Sequence, residues 1–460
     1  MNTGNQDKSN RLIGIISLGC PKNTVDSERL MGDLDRFGWE FTGEIENADC
    51  LIVNTCGFIR DARLESEEAI AEICEIKRMK PGVILVVTGC LPQRDGIDLK
   101  KQFPEIDLVA GIGSLEKIPG LLNDILTGRQ PQIPDLKDLA VPGRATLSMA
   151  ADPRLRLTPP WTAWMKISEG CDHSCAFCVI PQIKGKHISR PVEDLVCEAV
   201  QLSEEGVKEL ILISQDTTAY GSDIGTNLRV LLKELDRIDG IEWIRMHYLY
   251  PSKVSDPLLE IIADSGHVIP YFDIPFQHTE SRILKSMDRL APDIDPVEII
   301  NRIRSRFENG KNPACIRTTL MVGFPGETDG DFGNMLEFVE NARIDKLTVF
   351  RFSPEDGTSA ATMPEQIPDD ISESRMNLIM EIQYDISQEI NEEFIGKRLD
   401  VLLEGFTDDG RRIGRSYRDA PEIDGLVLVE NVPDEIEEGN IVGVKITGAL
   451  PYDLDGEYEE

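Results

Sequence analysis

The chain has 460 residues, too many for one ordinary domain, so about two to four are expected, and 41% hydrophobic content supplies proper cores. It carries 82 acidic against 48 basic residues, a net charge of −34 that repels polyphosphate and attracts basic partners. The run Leu12-Ile-Gly-Ile-Ile16 is too short for a signal peptide, and no later segment has the length to cross a bilayer. Ten cysteines without a secretory signal imply reduced thiols put to metal or redox use, and a cytoplasmic protein.

Residues 1–10 are polar and read as a disordered N-terminus, and residues 11–127 read as an α/β domain. Arg11 to Leu18, Cys50 to Val53 and Gly82 to Val87 are β-branched apolar runs without alternation, as in a parallel sheet buried on both faces. Helical stretches such as Ala62 to Met79 lie between them. Each run leads into a cysteine: Leu18-Gly-Cys20, Asn54-Thr-Cys56 and Thr88-Gly-Cys90. Ligands of open parallel sheets sit outside the carboxyl ends of the strands, so these three thiols are expected to converge on one point and hold an Fe–S cluster. The alternative, cysteine as a small core residue, suits Cys50, Cys74, Cys197 and Cys315, which lie inside apolar segments.

Residues 128–160 carry several prolines and no clear period, and read as a linker. Residues 161–370 form a second α/β region. Strand candidates recur at Trp164 to Ile167, Glu209 to Ile213, Trp243 to Met246, Tyr271 to Ile274, Thr318 to Val322 and Lys346 to Phe350. Six strands, each followed by helical material, predict a partial (β/α) barrel with its chemistry at the C-terminal face. The loop after the first strand reads Glu169-Gly-Cys-Asp-His-Ser-Cys-Ala-Phe-Cys-Val179. Its three thiolates, Cys171, Cys175 and Cys178, can hold three irons of a 4Fe–4S cubane and leave the fourth open. A zinc knuckle would need a fourth ligand, and His173 is spaced poorly for that role. Residues 371–390 read as a helical bridge. Residues 391–460 read as a small antiparallel, OB-like β-barrel with 7 basic and 19 acidic residues, a net of −12.

The three-cysteine loop resembles the signature of the radical S-adenosylmethionine (SAM) superfamily, whose open iron chelates SAM. The order of parts resembles the methylthiotransferase family: a three-cysteine N-terminal domain, a radical SAM barrel and a C-terminal TRAM barrel. Its sharpest piece runs from Ile167 through Cys171, Cys175 and Cys178 to Pro181, and on through Gly185 to Arg190-Pro191. Four stretches are similar to the branch that modifies an aspartate of the basic ribosomal protein S-twelve, rather than the branch that modifies tRNA adenosine: Ser17 to Glu28, Ser214 to Gly221, Asp273 to His278 and Phe352 to Gly357. The barrel's acidity argues the same way, because RNA backbones are bound through positive charge.

The resemblance implies two 4Fe–4S clusters and SAM. Cys171, Cys175 and Cys178 would hold the SAM-cleaving cluster, with Phe177 near the adenine. Ser214, Gln215 and Asp216 are candidates for SAM or substrate contact, the alternative being that they cap the following helix. Cys20, Cys56 and Cys90 would hold an auxiliary cluster carrying the sulfur to be inserted at the aspartate β-carbon. The partner would be the S-twelve protein, free or in the small subunit; neither the sulfur donor nor the reductant is legible. A competing class, an Fe–S electron carrier or scaffold, would have no SAM pocket.

Overall fold

The structure, a computed structural model, describes residues 11–129, 154–289 and 295–460. The expected disordered N-terminus and most of the expected linker lie outside the described residues. The chain divides into two units. One holds the N-terminal region through Leu157 with Lys166–Asp172 and Cys178–Glu198; the other holds Thr158–Met165, His173–Phe177 and Ala199–Glu460.

The first unit is built on a five-stranded parallel sheet of order β2-β1-β3-β4-β5. Its strands are β1 (Arg11–Ser17), β2 (Trp39–Phe41), β3 (Cys50–Thr55), β4 (Ile84–Gly89) and β5 (Leu108–Val109). The three predicted runs are β1, β3 and β4; the edge strands β2 and β5 are too short to show a pattern. Every residue of β3 and β4 is buried. Cys50, Ile52, Ile84 and Val86 face one core, while Leu51, Val53, Leu85 and Val87 face the other. Helices α1 (Pro21–Arg36), α2 (Arg60–Met79), α3 (Cys90–Gln102) and α4 (Ile118–Leu126) supply the covering layers. Leu30 and Leu34 of α1 join the first core, and Ile70, Ile73 and Cys74 of α2 join the second. Burial on both faces is why the strands carry no polar alternation. The order 2-1-3-4-5 places the switch point between β1 and β3, the position where open α/β sheets bind ligands. A small antiparallel hairpin, β7 (Ser168–Glu169) with β8 (Ile188–Ser189), also belongs to this unit, with the helix Ile180–Lys184 between its strands.

In the second unit, β6 (Thr162–Lys166), β9 (Glu209–Ile213) and β10 (Trp243–Met246) form one sheet. β11 (Tyr271–Asp273), β12 (Cys315–Val322) and β13 (Lys346–Arg351) form another. Leu249 N–H donates to Asp273 O at 2.8 Å and Ile269 N–H to Ile244 O at 3.1 Å, so the six strands follow one another in chain order around an arc. That is the predicted partial barrel. The long helix Asp369–Glu392 leads to the C-terminal barrel of β14 (Arg398–Phe406), β15 (Arg412–Ser416), β16 (Val427–Glu430), β17 (Ile441–Ala449) and β18 (Leu454–Tyr458). The barrel closes in the order β14-β15-β16-β18-β17. Four pairings are antiparallel as expected, but β16 and β18 pair in parallel. β18, rich in Asp and Glu, has no apolar run to mark it as a strand; pairing on both edges makes it one. Among the described residues no helix is long and apolar enough to cross a membrane.

Candidate active site

Cys20, Cys56 and Cys90 follow adjacent strands of the first sheet. Cys20 is the N-cap of α1 with Pro21 as its first residue, Cys56 directly follows β3, and Cys90 opens α3. The glycines beside them measure how closely the turns approach. A Cβ on Gly19 would lie 2.9 Å from Cys56 Cβ and 3.2 Å from its sulfur, and one on Gly57 would lie 2.9 Å from the Cys90 carbonyl. The three turns therefore meet, with Cys20 and Cys56 following the two strands that flank the switch point. Asn23, which sequence reading passed over, is buried at their centre. Its amide donates to Leu18 O and Thr55 O at 3.0 Å each, and its Oδ1 lies 3.8 Å from Cys90 Sγ. Asn54 donates in turn to Asn23 O, and Ser66 Oγ accepts from Cys56 N–H. Polar residues before and after the cysteines were the available signal.

Burial pushes the Cys90 thiol up to about 12, against the pull of the Lys184 ammonium, and burial also raises Cys56. A thiol so placed yields its proton to a metal more readily than to solvent. Among the described residues no three His, Cys, Asp or Glu side chains form a group that would hold a single metal ion. A cubane spreads its thiolates further apart, one to each iron, and the donor set of three cysteines fits it.

A square of charge lies in the same unit. Lys166, Lys184, Asp26 and Glu169 are each no more than 6% exposed. Lys166 Nζ bonds Asp26 Oδ1 and, at 2.8 Å, Glu169 Oε2. Lys184 Nζ stands 3.6 Å from Asp26 Oδ2 and 3.5 Å from Glu169 Oε1.

The loop of Cys171, Cys175 and Cys178 is divided between the units. In the first, Cys171 N–H donates to Gly185 O at 3.0 Å and His187 N–H to Asp172 Oδ1 at 3.1 Å. Gly170 has φ 78°, and a Cβ there would meet Lys186 O at 2.1 Å, so only glycine fits before Cys171. In the second, Ala176 N–H donates to Met287 O at 2.8 Å and Phe177 packs beside Ile283, Met287 and Phe324. Burial raises the Cys175 thiol, and Arg289, whose Nη1 is 3.9 Å away, draws it back.

Of the predicted strand-end trio after β9, Ser214 is buried and 3.3 Å from Thr217 Oγ1, and Gln215 is half-buried. Asp216 has the capping role and also meets the cysteine loop. Its Oδ1 caps the turn through Thr218 Oγ1 and Ala219 N, while its Oδ2 lies 2.7 Å from His173 Nε2. His173 also stacks on Tyr250 at 3.9 Å, so two partners hold this residue of the cysteine loop in place. Further along the rim, Asp273 Oδ2 accepts from His247 Nδ1 at 3.1 Å and Tyr248 N–H at 3.0 Å, and its Oδ1 accepts from Arg317. Burial raises the Asp273 carboxyl, but His247 and Arg317 outweigh it and hold the group at about 2.

Comparison with known proteins agrees with this division of parts. The uncharacterized protein family UPF0004 matches residues 12–111, the radical SAM superfamily 165–339 and the TRAM domain 395–458. A ribosomal protein uS12 methylthiotransferase RimO of Anaeromyxobacter sp. (strain Fw109-5) is 43% identical, covering 96% of this chain and 91% of that protein. Its counterpart in Clostridioides difficile (strain 630) is 42% identical over 97% and 98%. Among solved structures, the radical SAM methyltransferase TsrM of Kitasatospora setae, with cobalamin and a [4Fe-4S] cluster bound, aligns with a TM-score of 0.56 at 14% identity, covering 87% of this chain and 81% of that one. That likeness concerns the fold. The full-length similarity carries the assignment: this chain belongs to the radical SAM ribosomal protein uS12 methylthiotransferase (RimO) family.

Proposed function

We propose that the chain inserts sulfur and a methyl group at the β-carbon of an aspartate in the small-subunit ribosomal protein S-twelve, using SAM and two 4Fe–4S clusters. Cys171, Cys175 and Cys178 hold one cluster; Cys20, Cys56 and Cys90 hold the other. The observation that carries the reading is the meeting of three cysteine turns at the sheet's switch point, in a chain similar throughout to uS12 methylthiotransferases. The first cluster with SAM supplies a radical able to take hydrogen from an unactivated carbon, and the second supplies sulfur. The residues provide placement. Asp216 and Tyr250 fix His173 and with it the loop, Phe177 offers an apolar face for an adenine, and Asn23 ties the turns of Cys20, Cys56 and Cys90 together. Ser214 and Gln215 are placed at the strand end for contact with SAM or substrate.

A protein substrate is favoured over RNA by the C-terminal barrel. Two of its 7 basic residues, Arg415 and Arg418, and two of its 19 acidic ones, Asp419 and Asp424, have their side chains buried in ion pairs, so its outer surface keeps the net acidity of its sequence. Acidic surface suits a basic ribosomal protein in the cytoplasm. Anaerobically reconstituted protein is expected to hold about eight irons, falling to about four in the C20A/C56A/C90A variant. That variant should still cleave SAM but insert no sulfur; loss of cleavage would contradict the assignment of roles. Mass spectrometry of S-twelve and tRNA from a deletion strain tests the substrate, and a loss confined to tRNA rejects it.

A further inference from the structure

We propose that Lys184 is the positioning residue of the second cluster, an ammonium held ready to donate hydrogen bonds to cluster sulfur and to offset its negative charge. The inference rests on the reading that Cys20, Cys56 and Cys90 hold that cluster.

Lys184 is 2% exposed and ends the short helix Ile180–Lys184. Val179 and Ile183 pack with Cys90 and Ile112 in one apolar cluster, which seats this helix against the start of α3. The position of Lys184 beside Cys90 is therefore set by packing, not by its own flexible stem. Its ammonium has three donors, and among the described residues none of them finds a hydrogen-bond acceptor. Asp26 Oδ2 at 3.6 Å and Glu169 Oε1 at 3.5 Å are close enough to compensate charge but beyond ordinary hydrogen-bond distance, and Lys166 draws on the other oxygen of each. Burying an ammonium with all its donors idle is costly, and a polar group left so in a native fold calls for a missing partner. The anionic positions that would stabilise it are Glu169, then Cys90, then Asp26, then Cys20. Two of those four are proposed cluster ligands. A cubane with three thiolates is anionic, and its potential depends on net charge and on hydrogen bonds to sulfur. A fixed cation stabilises the more negative, reduced state and raises that potential.

The test uses the full chain carrying C171A/C175A/C178A, so that the second cluster is observed alone, with a potential read by EPR-monitored titration. K184M is expected to move the potential to a more negative value and K184R to return it towards the parent's. An unchanged potential in K184M at full iron content overturns the inference. Should K184M fail to take up iron, uptake restored by K184R supports a requirement for the charge, whereas failure of both variants assigns Lys184 a role of shape and overturns it. Absence of iron from the parent triple variant, with Lys184 intact, overturns the second cluster itself and this inference with it.

Discussion

Two clusters of buried charge, one in each unit, contain two cations and two carboxylates apiece, and they differ in how many donors are used. In the second unit Glu209 of β9 accepts from Arg245 Nε at 2.7 Å and from Arg415 Nη2 at 2.6 Å. Arg415 also donates to Glu404 at 2.8 and 2.6 Å and to Asp419 O at 3.0 Å. Arg245 donates to Tyr417 O and lies over the Tyr271 ring. In the first unit Lys166 is bonded and Lys184 is not. A guanidinium spreads five donors over a rigid fork and suits a dense network; an ammonium is a point charge that can be held in reserve. The arginine cluster, in which only Arg245 Nη2 is left without an acceptor among the described residues, fastens β9 and β10 to the C-terminal barrel, and Lys184 of the other lies on the helix packed against Cys90.

The largest effect is expected from breaking the arginine cluster. Arg415→Met leaves Glu404 and Glu209 short of a partner inside the protein, a change that costs about 3–5 kcal/mol. Urea unfolding measures it. A loss under about 1 kcal/mol would place the cluster with solvent-exposed pairs and remove the contrast. Next comes a comparison inside the first unit. Lys166→Met should destabilise more than Lys184→Met, by about 1.5–3 kcal/mol, the worth of hydrogen bonds to charged groups. Equal losses would mean that Lys184 is bonded as Lys166 is.

Acid exposes the same contrast. Burial raises the Glu209 carboxyl, but Arg415 and Arg245 override it and hold it at about 2; Glu198 is held at about 2 against burial by Arg190, Arg29 and Arg154. Both folded values lie below the unfolded value of about 4.3, so their stabilisation is full above that range and is lost as pH falls from about 5 towards 2. Melting temperature should be flat with respect to these groups near neutrality and fall steeply below pH of about 4, and Glu209→Gln should flatten that acid limb. An acid limb unchanged in Glu209→Gln would show that the carboxylate is not held ionised.

The elements that sequence reading found are those whose residues state their surroundings. β3 and β4 are continuous apolar runs because both faces are buried, and Cys56 and Cys90 stand out as the polar stops behind them. β18 stayed hidden since its pairing, not its composition, makes it a strand. Lys184 and Asn23 stayed hidden for another reason. A lysine before a glycine looks like a solvated helix end, and nothing local records that packing of Val179 and Ile183 on Cys90 carries it inside. Buried charge is set by distant partners, and linear sequence shows charge without them.

Cys197 is where the smallest effect is expected. Its surrounding segment, Val192–Glu204, is apolar enough to suggest a core thiol, yet Cys197 is exposed. Helical phase explains this. Leu195, Ala199 and Leu202 share the buried face, Glu198 beside them is drawn in by Arg29, Arg154 and Arg190, and position 197 turns outward. Cys50 and Cys315, by contrast, are buried and their thiols pushed up by that burial. Cys197→Ser should change stability by no more than about 0.5 kcal/mol and leave iron content unaltered. In the native protein a thiol reagent should label Cys197 while Cys50 and Cys315 stay protected. Loss of iron in Cys197→Ser, or no labelling at that position, would mean that the helix turns its other side outward and that Glu198 does not reach its three arginines.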